Sequence, residues 1–114
     1  MTLEECYAAL GGDCADALGR FGTPARLQRY LRLLPADDSI PRLLDAWQMG
    51  STEDACRAAH ALHGLSLTLG LTQLAEAACA LTCALREHRA ADAQLDNVCR
   101  KWQQTVQTLA QMTD

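Results

Sequence analysis

Cys56, Arg57, His60 and His63 lie within about two helical turns of one another and combine a nucleophile, a cation and metal-ligand types. An ordinary imidazole, with a pKa of about 6.5, is mostly neutral at cytoplasmic pH and attacks a phosphoryl group without a dedicated general base. On a helix of about 100° per residue, Ala55, Ala58, Ala59, Leu62, Leu65, Ser66 and Leu69 fall within roughly 60° of Leu62, which makes them the buried stripe. His60 lies about 160° from Leu62, with Gly64 beside it one turn further on. The spacing therefore predicts a solvent-facing imidazole with nothing at Gly64 to shield it. Arg57 at i−3 and His63 at i+3 are each about one turn from His60 and in reach of a phosphate. Glycine inside a helix costs about 1 kcal/mol against alanine, so Gly64 reads as access for a partner. Leu67 shares that face and, with Ala61 and Gly64, extends a small apolar docking patch.

The same residues support a rival chemistry. Cys56, His60 and His63 run along one helical face, and such a set can bind Zn²⁺ or another transition metal if a fourth ligand or a water completes it. No Cys-x-x-Cys pair is present. Cys79 and Cys83 lie away from the Leu74 stripe of their own segment, so a closed four-ligand site would need a rotated helix. The expectation is therefore no metal and no cofactor, with a metal- or thiol-responsive helical module on Cys56, His60 and His63 as the alternative.

The run Ala59-His60-Ala61-Leu62-His63-Gly64, with Gly70 six residues on, resembles the histidine-containing phosphotransfer (HPt) domain, whose usual motif reads His-x-Leu-Lys-Gly. The similarity continues through Arg57-Ala58-Ala59 upstream and Leu69-Gly70-Leu71, Leu74 to Ala78, Leu81-Thr82 and Ala84-Leu85-Arg86 downstream. Weaker similarity covers nearly all of the chain. The resemblance implies a free-standing bacterial-type HPt protein, a single domain over 1–114 that carries no kinase or receiver. It implies His60 as phosphoacceptor through its outward ring nitrogen, exchanging phosphate with receiver-domain aspartates. Those receivers would act directly or within a hybrid histidine kinase and would supply the metal and the catalytic groups, so this chain is expected to be a phosphocarrier and not an enzyme. His63 stands where the family has a phosphate-holding lysine, and Thr68 where related proteins have asparagine. A degenerate HPt that binds receivers without transfer is a further alternative.

The elements that must position these residues are helical throughout. Ala and Leu dominate, and no stretch alternates with period two. A first helix over about Thr2 to Leu10 ends at Gly11-Gly12, and Asp13 caps a short second one carrying Ala17, Leu18 and Phe21. Thr23-Pro24 starts a third, with Leu27, Tyr30, Leu31 and Leu34 facing inward until Pro35. Asp38 or Ser39 caps a piece that offers Leu43, Leu44 and Trp47 for burial and ends at Gly50. Ser51, followed by Glu53 and Asp54 where carboxylates favour the helix dipole, opens the His60 helix, which runs to Leu69. The turn at Gly70 is short enough to force an antiparallel neighbour from about Leu71 to His88. A polar link around Arg89 to Asp92 precedes a last helix bearing Leu95, Val98, Trp102, Val106 and Leu109. The fold class expected is all-α, an antiparallel four-helix bundle with short N-terminal covering helices.

With 114 residues there is room for one core and none for an ATP-binding kinase module, so phosphoryl chemistry must borrow its donor. A net charge of −4 with only ten Lys and Arg argues against a nucleic-acid partner. Glu4 and Glu5 stand where a signal peptide needs basic residues, and no apolar run approaches membrane-spanning length, so a cytoplasmic protein with no membrane partner is expected. Six cysteines in a chain with an adequate helical core read as reduced thiols. The motif lacks no second active-site element, so a monomer is expected.

Overall fold

The computed structural model describes residues 1–113; Asp114, the last position of the domain expected over 1–114, lies outside them. Among the described residues there is no strand. The helices are α1 (Leu3–Leu10), α2 (Cys14–Phe21), α3 (Pro24–Leu33), α4 (Ser39–Gln48), α5 (Thr52–Thr68), α6 (Thr72–Arg86) and α7 (Asp92–Leu109). A 3₁₀ turn at Leu34–Ala36 separates α3 from α4.

Local chemistry sets most of the boundaries. Thr2 and Glu5 form a reciprocal capping box at the start of α1, and Thr23 accepts from the Arg26 N–H ahead of Pro24 in α3. The Ser51 hydroxyl accepts from the Asp54 N–H at the start of α5, with Glu53 and Asp54 in its first turn. Asp38 holds the N-cap position of α4 but makes no capping bond; the Asp37 carboxylate instead accepts from the Ser39 N–H. The chain leaves the 3₁₀ turn extended at Asp37, and that aims the earlier carboxylate at the helix start.

α5, α6 and α7 pack in sequence, and the broken α3–α4 rod completes the four-helix bundle along the other side of α5. The core takes Leu43 from α4, Ala55, Ala58, Ala59 and Leu62 from α5, Leu74, Ala78, Leu81 and Ala84 from α6, and Val98 and Leu109 from α7. Leu44 and Tyr30 do not join it. α4 buries only the Ser39, Leu43 and Ala46 stripe, which turns Leu44 outward; Tyr30 is 48% exposed and packs against Phe21, ring centroids 5.0 Å apart. Leu65, at the edge of the stripe, is half-buried.

α1 and α2 cover the end of the bundle where α5 turns into α6. The Tyr7 hydroxyl donates to the Leu69 carbonyl at 2.6 Å in a buried bond, and burial pushes its pKa up. The Asp13 N–H donates to the Gly70 carbonyl at 2.8 Å, and Gly70 itself turns at φ +66°. Arg20 donates to the carbonyls of Leu67 and Thr68 in the last turn of α5. Met1 and the segment 111–113 meet at this end too. The Met1 ammonium donates to the Gln111 carbonyl at 2.7 Å, and the Thr113 N–H donates to the Met1 carbonyl at 2.6 Å.

At the opposite end, α6 closes with the His88 N–H donating to Leu85 and the Arg89 N–H to Ala84, and His88 takes the left-handed conformation at φ 54°. All six cysteines are free, and no helix of the described residues is long and apolar enough to cross a membrane.

Candidate functional site

His60 sits at the midpoint of α5 and is exposed, while Leu62, two residues on, is fully buried. The reason is helical phase: Ala55, Ala58, Ala59, Leu62, Ser66 and Leu69 are all buried, which leaves the opposite face of α5 in solvent. A Cβ built on Gly64 would meet nothing within 4 Å, so the surface one turn beyond His60 is open. Ala61 is exposed beside it, and Leu67 is 52% exposed on the same face. The Thr68 hydroxyl donates to the Gly64 carbonyl at 2.9 Å, which spends its hydrogen bond within the helix.

His63 is half-buried, and its ring centroid is 6.4 Å from that of His60. Arg57 behaves differently. Its guanidinium donates to Glu53 at 2.9 Å and to Asp54, and those bonds, Asp54's first, raise its pKa. The difference follows from helix geometry: side chains lean toward the N-terminus of their own helix, so His63 at i+3 leans back over His60 and Arg57 at i−3 leans away. The structure thus brings His60, His63, Ala61, Gly64 and Leu67 onto one face, with Arg57 turned from its centre toward the first-turn carboxylates.

A groove of about 760 Å³ runs beside the imidazole, lined by Cys56, Arg57, His60 and Ala61 from α5 and by Leu85 and Arg86 from α6. Spacing along the chain does not reveal Arg86 at this site, because only the antiparallel pairing of α5 and α6 brings it there. Arg20, which holds the last carbonyls of α5, is equally invisible to periodicity.

The metal-ligand alternative gains no geometry. Among the described residues no group of three or more His, Cys, Asp or Glu side chains is arranged to hold a metal ion, Cys56, His60 and His63 included. Cys79 is half-buried and Cys83 exposed on α6. Burial first, and then the neighbouring Cys83 thiol, raise the Cys79 pKa.

What this face can do is present one nucleophilic imidazole to a bulky partner across an uncluttered helix surface. Among the described residues no side chain hydrogen-bonds the His60 imidazole. No curated protein and no solved structure matches the chain. The model of the Hpt domain matches residues 25–112, a span that begins in α3, covers α4 to α7 whole and leaves α1 and α2 outside. With more than half of its length matched and an all-helical bundle to match it, the chain belongs to the Hpt domain family, the histidine phosphocarriers of two-component signalling.

Proposed function

We propose that this chain is a phosphorelay intermediate in which His60 accepts a phosphoryl group from the aspartyl phosphate of one receiver domain and donates it to the aspartate of another. One observation carries the reading: the midpoint of α5 exposes an imidazole beside a glycine whose Cβ position is empty, in a chain of the Hpt domain family. In the forward step the Nε2 lone pair of neutral His60 forms the N–P bond as the acyl-phosphate O–P bond breaks, and the aspartate leaves as a carboxylate. The proton already on Nδ1 stays there, so no base is needed. The receiver's bound metal and in-line positioning supply the catalysis, and α5 supplies nucleophile and docking surface.

Around that centre Gly64, Ala61 and Leu67 form the face on which the receiver seats, and His63 leans over the phosphoryl position. Arg57, bonded to Glu53 and Asp54, is turned from the phosphoryl position and takes no part in holding the group. We place the protein in the cytoplasm, acting over residues 1–114 as one monomeric unit with receivers that are separate proteins or parts of a hybrid kinase.

The test is incubation with a panel of phosphorylated receivers while acid-labile phosphate is followed on this chain and on its His60→Gln variant. Labelling of the wild type alone supports the assignment. Labelling of both moves the acceptor elsewhere, and binding of receivers with no label on either makes the protein a docking scaffold.

A further inference from the structure

We propose that the cation serving a phosphoryl group on His60 is Arg86, reaching across from α6; this rests on the reading of His60 as the acceptor. A phosphoryl group on an exposed imidazole brings a charge near −2 and three acceptor oxygens to the middle of α5. Something cationic should meet it. The chain has a single lysine, Lys101, and that residue lies on α7 with its ammonium bonded to Gln73. His63 carries no fixed charge. That leaves the two arginines lining the groove beside His60, Arg57 and Arg86.

Helix polarity separates them. Both side chains lean toward the N-terminus of their own helix. For Arg57 that direction runs away from His60, and there it meets Glu53 and Asp54, both of which it binds. α6 runs antiparallel to α5, so the same lean carries Arg86 along the groove in the direction that leads from Thr52 toward His60. Arg86 is exposed, and no carboxylate among the described residues pairs with it. It also lowers the thiol pKa of Cys79, about two turns toward the N-terminus of α6, against the stronger effect of burial. A guanidinium also suits the task, because its planar fork donates two parallel N–H bonds to phosphate oxygens where an imidazole donates one. The chain thus has a cation from the neighbouring helix at a site where its own helix offers histidine.

The position of the transfer equilibrium reads this directly, since a group that contacts the phosphoryl oxygens stabilises only the phosphorylated form. The protein is mixed with one phosphorylated receiver, and the phosphohistidine fraction at equilibrium is measured for wild type, Arg86→Gln, Arg86→Lys and Arg57→Gln. Labelling by phosphoramidate, which needs no docking surface, is followed in parallel. Arg86→Gln should lower the equilibrium constant about fivefold, the value of roughly 1 kcal/mol for an exposed charge pair. It should do so with both donors; Arg86→Lys should recover part of the loss, and Arg57→Gln should match wild type. Arg86→Gln equal to wild type with both donors overturns the inference. So does a loss seen only with the receiver, which would make Arg86 a docking residue, or a loss confined to Arg57→Gln. A wild type that labels with neither donor removes the reading of His60 itself, and a variant series that labels despite His60→Gln does the same.

Discussion

Two residues apart on α5, His60 and Leu62 should respond to substitution in opposite ways. His60→Gln removes an exposed ring with no core contact, so thermal stability should stay within about 0.5 kcal/mol while phosphate acceptance disappears. Leu62→Ala removes a fully buried side chain and should cost about 2 to 5 kcal/mol in chemical denaturation. A large loss in the first variant, or a negligible one in the second, would contradict the orientation of the helix. Gly64→Leu tests access separately: its Cβ meets open space and leucine favours helix over glycine, so stability should hold or rise. Transfer from receivers should nevertheless fall steeply, and labelling by phosphoramidate much less. For His63→Lys we expect phosphate acceptance to be retained or improved, with a flatter profile between about pH 6 and 8, because imidazole as a side-chain type changes charge there and lysine does not. Superimposable profiles for wild type, His63→Lys and His63→Ala would make His63 a bystander. At this scale the sequence was legible wherever one helix decides the outcome. Period alone places His60, Gly64 and Leu67 outward and Leu62 inward. It does not show that Arg57 turns toward Glu53, although the lean of helical side chains contains that information, and it is silent on Arg86.

Elements were harder to read than residues wherever neighbouring helices, and not helix phase, decide burial. α5 fits its predicted limits because Ser51 caps one end and Gly70 turns the other. Tyr30 and Leu44 sit on apolar-looking faces, yet α3 and α4 are narrow contacts along one side of α5, and each buries a single stripe. The last turn of α6 holds a different surprise. His88 occupies a left-handed position that glycine fills without steric penalty. His88→Gly should therefore raise the unfolding free energy by about 1 kcal/mol, measured by urea denaturation, with no change in helical content. An unchanged or lower value would mean that contacts of the imidazole outweigh the backbone strain. Glu5 gives a smaller effect of known sign: its bonds to the Thr2 N–H and hydroxyl hold its pKa below the ordinary 4.5, so its contribution to α1 is present above that pH and fades as pH falls through the lowered value.

For the whole molecule, sequence periodicity gives the number of helices and their antiparallel order, but not what α1 and α2 are fastened to. Those attachments are hydrogen bonds to backbone carbonyls, from Tyr7 to Leu69, Asp13 to Gly70 and Arg20 to Leu67, and carbonyls look alike in every sequence. The family match begins only in α3, so these fastenings lie outside the matched span on the N-terminal side while holding the α5–α6 turn within it. The bonds among Met1, Gln111 and Thr113 carry a separate consequence. With Met1 held beside Gln111 and Thr113, the described residues form nearly a ring, and the place where the ring is cut becomes a free choice. A circular permutant that joins the ends through a short flexible linker and opens between Arg89 and Ala90, both exposed, should refold to the same helical circular dichroism spectrum with a single cooperative transition. Its new termini would leave the bundle at the α6–α7 link, the far end from α1 and α2, so a fluorescent or affinity tag could be moved from one pole to the other with the His60 face left clear.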